Sequence, residues 1–195
     1  MPVDAVVRRA LGAALLVAAS LAQSQPAAPP AQQLQLCMAC HGPQGNSQNP
    51  EIPSLAAQPQ LFIENQLVLI REGMREVPQM KGLLDGMKDP EIVALAAYFA
   101  AQKPVAVAAK RDEAMFQRGQ ALAGKALCGS CHLPDFTGRQ QIPRLAGQHE
   151  SFLLTAMKQF RDKPGPGRDT IMAASLYGLK DQDLADLAHY LAQLR

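Results

Sequence analysis

Residues 37–41 read Cys-Met-Ala-Cys-His, and residues 128–132 read Cys-Gly-Ser-Cys-His. These two stretches hold all 4 cysteines of the chain, each in a C-x-x-C pair followed at once by histidine. C-x-x-C-H is the attachment signature of a c-type haem. The two thiols sit one turn apart at the end of a helix and add across two vinyl groups on one edge of the porphyrin; the next residue is then placed to bind iron. One copy could be chance. Two copies with no cysteine left over point to two covalently attached haem c groups. Cys37, Cys40, Cys128 and Cys131 are the expected thioether residues, and His41 and His132 the expected iron ligands on one face. Two other chemistries use the same spacing. A Cys₄ zinc site could draw on both pairs, but it leaves the paired His and Met pattern unexplained. A thioredoxin-like redox pair needs a βαβ setting, and no strand-like alternation of any length occurs.

Working outward, the two motifs belong to an internal repeat, the feature to look for first in any chain. Ile52-Pro53-Ser54-Leu55-Ala56 follows the first motif, and Ile142-Pro143-Arg144-Leu145-Ala146 follows the second. Further on, Met80 to Ala101 aligns without a gap on Met172 to Gln193, matching Leu84 with Leu176, Gly86 with Gly178, Asp89 with Asp181 and Tyr98 with Tyr190. Each half is therefore the same fold used twice. The periodicity inside each half is helical. Asp89-Pro90-Glu91 reads as a helix start with Asp89 as the cap; Ile92, Leu95, Ala96 and Phe99 then share one face. Leu184, Leu187, Ala188 and Leu191 repeat that face. A middle helix is expected near Pro59 with Ile63, Leu67 and Ile70 inward, and in its twin with Phe152, Ala156 and Phe160. Another helix is expected from about Asp112 to Cys128. The expected class is all-α.

The second axial ligand follows by elimination. Of the 4 histidines, His41 and His132 are taken, and the first half has no other. His149 aligns with Pro59 and His189 with Ala97, so neither occupies a position used in both halves. Met80 and Met172 do align, 39 and 40 residues after their histidines, and are the expected sixth ligands. Met74, Met87 and Met157 lack matching partners and read as core. A His/Met pair fills both axial positions and raises the reduction potential; such a site stores and passes one electron. Pro53 and Pro143 lie 12 and 11 residues beyond the ligand histidines. A ligand histidine commonly donates its other N–H to a carbonyl that fixes the ring, and the recurrence of these prolines favours that role for their loops.

The chain has 195 residues, 5% aromatic and without tryptophan. Two lobes that small and thin in aromatics need a cofactor to complete their cores. Arg8 and Arg9, the apolar run Ala10 to Leu21 and small residues before Gln23 read as a cleavable export signal over residues 1–22. The run is too short to span a bilayer. Residues 23–101 form the first expected domain, 102–110 a linker and 111–195 the second. The first domain carries 4 basic and 7 acidic side chains, the second 11 and 9. Oppositely charged halves give a dipole that can steer docking.

With the motifs assembled, the chain resembles the cytochrome c4 family of di-haem cytochromes. The resemblance rests on Cys37-Met38-Ala39-Cys40-His41-Gly42-Pro43-Gln44-Gly45 and Ile142-Pro143-Arg144-Leu145-Ala146-Gly147-Gln148. It implies two tandem class I cytochrome c domains packed face to face, each wrapped around one haem, with haem propionates near the interface. It implies that the Pro53 and Pro143 carbonyls accept hydrogen bonds from His41 and His132. It further implies a periplasmic electron carrier rather than an enzyme, soluble or loosely membrane-associated and monomeric. Its partners would be redox proteins: a quinol-oxidising complex or dehydrogenase as donor and a terminal oxidase as acceptor, with no nucleic acid. The alternative role is the cytochrome subunit of a flavoprotein or quinoprotein dehydrogenase. A di-haem peroxidase is disfavoured because it needs an iron position that can open. Two departures stand out. Leu133-Pro134-Asp135 replaces the Gly-Pro-Gln-Gly that follows the first motif, and the short segment before Cys37 implies a truncated first helix.

Overall fold

Apolar spacing at helical period builds eight α-helices in the computed structural model, which describes residues 28–106 and 110–195. The expected export signal and residues 107–109 of the expected linker lie outside the described residues. The first unit contains α1 (Ala31–His41), α2 (Gln60–Arg71) and α3 (Asp89–Ala100). The second contains α4 (Glu113–Lys125), α5 (Cys128–His132), α6 (Glu150–Asp162), α7 (Thr170–Ser175) and α8 (Asp181–Ala192). No strand occurs among the described residues; a single antiparallel bridge joins Arg139 and Ile142.

Each unit has its own apolar core. In the first, Ile63 and Leu67 of α2 meet Ile92, Leu95 and Phe99 of α3, with Leu84 and Met87 from the loop between them. In the second, Leu153 and Met157 of α6 meet Leu184, Leu187 and Leu191 of α8. Burying a side chain of this size contributes about 1.5–3 kcal/mol, so the last helix of each unit anchors its fold. Three local expectations need correction. The buried row of α6 is Leu153 and Met157, one residue on from Phe152 and Ala156, which are only half-buried, although Phe160 does pack on the core. The Phe152 turn instead faces the other unit, where its N–H donates to the Pro50 carbonyl at 3.1 Å. Asp89 is the first residue of α3 and Lys88 its cap; the Glu91 carboxylate accepts from the Lys88 N–H at 2.8 Å. Asp183 does the same for Lys180 ahead of α8 at 2.8 Å. Finally, the helix before the second motif ends at Lys125 rather than running to Cys128. Leu127 takes a left-handed conformation (φ 55°) between α4 and α5, and its carbonyl accepts from the Ser130 N–H at 3.0 Å, starting a new turn.

The loop after each motif keeps one path with different residues. The Gly45 carbonyl accepts from Leu55 and Ala56 N–H at 2.7 and 3.1 Å; the Phe136 carbonyl accepts from Leu145 and Ala146 N–H at 2.9 and 3.1 Å. The volumes exchange across the core. A Cβ on Gly45 would lie 2.7 Å from the Phe99 ring, so the first unit pairs a glycine with a phenylalanine. The second pairs Phe136 with the smaller Leu191, and Phe136 stacks edge-on to Tyr190 at 5.8 Å. Volume-conserving exchange of this kind is what close-packed cores tolerate.

The two units meet through their equivalent loops. Gln58 and Gln148 occupy matching positions, and each side chain pairs with both backbone groups of one residue in the other unit. His149 adds an Nε2–H donated to the Ser47 carbonyl at 3.0 Å. Asn46 pins the chain leaving the first unit, donating to Lys103 O and accepting from Val105 N–H.

Candidate functional site

His41 closes α1 and His132 closes α5, so each imidazole is presented at a helix C-terminus immediately after its cysteine pair. Gly42, at φ 78°, turns the chain away from α1; a Cβ there would fall 1.9 Å from the Asn46 carbonyl oxygen. Both rings are buried. Nδ1 of His41 donates to the Pro53 carbonyl at 2.8 Å, and Nδ1 of His132 to the Pro143 carbonyl at 2.9 Å. A carbonyl can only accept, so Nδ1 carries the proton and a neutral ring leaves its Nε2 lone pair free. Burial holds both imidazoles below their ordinary pKa, partly opposed by these same bonds. Desolvation thus favours the neutral form that can bind a metal.

The four thiols are free. Cys37 and Cys128 are half-buried, each against the core of its own unit, and burial pushes both thiols up in pKa. Cys40 and Cys131 are exposed. Met80 packs on the core that Cys37 also touches, and Met172 on the core that Cys128 touches. Their supports differ. Met80 ends a 3₁₀ turn, with its N–H donated to the Val77 carbonyl at 2.8 Å. Met172 lies in α7, whose start is capped by the Asp169 carboxylate accepting the Met172 N–H at 2.8 Å. Of the other methionines, Met87 and Met157 are core residues and Met74 is exposed. Of the other histidines, His149 serves the junction between units. His189 accepts the Asp112 N–H at Nε2 and donates from Nδ1 to Glu150, both at 2.9 Å.

One pair of side chains was missed in the sequence. Arg71, at the end of α2, donates to the Met87 carbonyl and pairs with Asp89, both at 2.8 Å. Arg161, at the matching place on α6, donates to the Leu179 carbonyl at 2.9 Å and pairs with Asp181 at 2.7 Å. Each arginine ties the two ends of the segment that carries Met80 or Met172. Asp89 with Glu72 holds the Arg71 guanidinium above its ordinary pKa, and Asp162 with Asp181 does the same for Arg161. The signal was available, because Arg71 and Arg161 fall 90 residues apart, at the offset of the repeat.

The donor set fits a c-type haem in each unit: two unpaired thiols, a neutral imidazole with Nε2 free, and a thioether against the same core. It does not fit a shared zinc site. Cys37 and Cys128 pack on separate cores, and no cluster of three or more His, Cys, Asp or Glu among the described residues could hold a metal ion. No helix among the described residues is long and apolar enough to cross a membrane.

Comparison with known proteins divides the chain in the same place. Residues 116–195 match the family model "Cytochrome c", and residues 26–99 match "Cytochrome C oxidase, cbb3-type, subunit III". A cytochrome c4 of Azotobacter vinelandii is 33% identical over 177 residues, covering 82% of this chain and 84% of its own. A thiosulfate dehydrogenase electron acceptor of Thiomonas intermedia is 31% identical over 169 residues, covering 80% and 76%. Among solved structures, reduced recombinant cytochrome c4 from Pseudomonas stutzeri superposes with a TM-score of 0.77 at 31% identity, covering 86% of this chain and 100% of that one.

Proposed function

The chain belongs to the cytochrome c4 family, di-haem electron carriers with two covalently attached haem c groups, and from that premise we propose that it works as a free, monomeric shuttle in the periplasm. Its donor is a quinol-oxidising complex or a dehydrogenase, and its acceptor a terminal oxidase. Residues 1–22 are removed on export, and residues 23–101 and 111–195 are the two cytochrome domains joined by a linker at 102–110. His41 and Met80 are the axial ligands in the first domain, His132 and Met172 in the second. Cys37, Cys40, Cys128 and Cys131 form the thioethers. The observation that carries this reading is the repeated bond from His Nδ1 to the Pro53 or Pro143 carbonyl, 2.8 and 2.9 Å, with an aligned methionine beside each core.

Held by these residues, haem would supply one-electron storage, with His41 and Met80 or His132 and Met172 as its protein ligands. The chain's own contribution is rigidity. The proline carbonyls fix each ring and raise its basicity as a ligand. Arg71 and Arg161 close the methionine segments, so the thioethers need little rearrangement when the charge of the site changes. The side chains of the first domain are more acidic than basic and those of the second more basic than acidic, before haem propionates make both more negative, and this asymmetry suits two different docking partners. Reversing charges on one domain should slow exchange with one partner and spare the other; equal slowing of both refutes two-faced docking.

A second reading, a subunit held in a dehydrogenase complex, draws support from the relative named as an electron acceptor of thiosulfate dehydrogenase. Fractionation of native extracts separates the two. The shuttle reading expects haem-stained protein at monomer size. Co-elution with a dehydrogenase in fixed stoichiometry contradicts it.

A further inference from the structure

The glutamines at the junction between the units do more than join surfaces. Gln148 Oε1 accepts the Ser54 N–H at 2.8 Å, and its Nε2 donates to the Ser54 carbonyl at 2.9 Å. In mirror fashion, Gln58 Oε1 accepts the Arg144 N–H at 3.0 Å and Nε2 donates to the Arg144 carbonyl at 2.9 Å. Backbone N–H can only donate and C=O only accept, so the orientation of both side-chain amides is forced. Both glutamines are 5% exposed, so water competes little for these bonds.

The peptide unit that each glutamine touches matters most. The Ser54 N–H belongs to the same peptide group as the Pro53 carbonyl, which accepts from His41. The Arg144 N–H shares its peptide group with the Pro143 carbonyl, which accepts from His132. Two unbroken chains therefore cross the junction. One runs from Gln148 through the Pro53–Ser54 peptide to His41; the other runs from Gln58 through the Pro143–Arg144 peptide to His132. Hydrogen bonds in such chains polarise one another, by about 10–30% per bond. A peptide whose N–H is engaged offers a more negative carbonyl oxygen. That strengthens the imidazole Nδ1–H bond and makes Nε2 a better donor to iron.

We propose that each domain sets the strength of the other domain's axial histidine, with Gln148 as the positioning residue for His41 and Gln58 for His132. The inference rests on the reading of these histidines as iron ligands. Its consequence is specific to the crossing. A stronger histidine donor favours the oxidised iron, so removing a glutamine raises the potential of the haem in the opposite domain and leaves its own domain's haem unmoved.

The test is a redox titration of the holoprotein and its Gln148→Ala and Gln58→Ala variants. Each haem is followed through the Nδ1–H resonance of its ligand histidine in isotope-labelled protein. In the wild type two exchange-protected, iron-bound imidazole N–H signals are expected; without them the ligand reading itself fails. With them present, Gln148→Ala should raise the first-domain potential by about twofold in the reduction constant, ~18 mV at 59 mV per tenfold for one electron. It should also move the His41 signal and leave His132 in place. Gln58→Ala should do the reverse. Shifts confined to the variant's own domain, equal shifts of both haems or no shift at all overturn the proposal.

Discussion

Two glycines on α4 give the same substitution opposite signs. A Cβ added to Gly119 would lie 2.1 Å from the Asp186 carbonyl oxygen and 2.6 Å from Tyr190 Cβ, both on α8. Ordinary contact begins near 3.4 Å, so α4 and α8 must part by about 1.3 Å to admit it. Overpacking costs about 1–3 kcal/mol, and a clash with backbone, which cannot rotate aside, belongs at the upper end. Alanine regains about 1 kcal/mol of helix propensity, leaving Gly119→Ala destabilised by about 2 kcal/mol. For a unit of this size that lowers its melting temperature by roughly 10 °C. At Gly124 on the same helix nothing lies within 4 Å, so Gly124→Ala should gain about 0.5 kcal/mol. Differential scanning calorimetry of the holoprotein, read at the second domain's transition, measures both. Because α4 leads into Cys128, the strain of Gly119→Ala should also broaden the second haem's spectrum. If Gly119→Ala is as stable as Gly124→Ala, the helices do not cross as closely as described and the packing argument fails.

Other expectations are independent of that crossing. Arg161→Ala removes its bonds to the Leu179 carbonyl and Asp181 and leaves the Lys158–Asp181 pair between α6 and the start of α8, so the Met172 segment should loosen. Carbon monoxide should then bind part of one haem per chain, and the methionine–iron charge-transfer band should weaken by up to half. Asp186 is paired with Arg118 through two bonds of 2.6 and 2.8 Å; that guanidinium holds its carboxyl below the ordinary range, against the opposing effect of burial. The stabilisation is complete above the unfolded carboxylate pKa, about 3.9, and is lost as pH falls through the lower folded value. Denaturant titrations should therefore show the gap between wild type and Asp186→Asn narrowing only below about pH 4. Pro53→Ala retains the backbone carbonyl and should leave the first haem's ligation intact, as its spectrum will report; loss of ligation would mean that the ring of Pro53, not its carbonyl, fixes His41.

The repeat made the fold legible before any coordinates. Two C-x-x-C-H motifs, a matched Ile-Pro-x-Leu-Ala and a gapless final helix predicted two helical units, and the fold has them. Leu95 and Leu187 are fully enclosed, as their place in the period required. What escaped was decided by tertiary contact. The inward row of α6 is Leu153 and Met157 rather than Phe152 and Ala156, because the Phe152 turn faces the neighbouring unit. The helix break at Leu127 has no glycine or proline at the site to announce it. Gln58 and Gln148, like Arg71 and Arg161, are polar residues whose partners are backbone groups far along the chain. Hydrophobic periodicity is blind to such partners, although alignment of the two repeats marks all four positions.

The central claim is that each domain holds an iron closed on both faces by this chain's own histidine and methionine. Optical spectra of the purified holoprotein test it most directly: oxidised, reduced, and reduced under carbon monoxide. The account predicts two low-spin, six-coordinate haems per chain, a methionine–iron charge-transfer band in the oxidised state and no change on adding carbon monoxide. Carbon monoxide binding to either haem of the unmodified protein would contradict it, because an iron that accepts an external ligand is not held by Met80 or Met172.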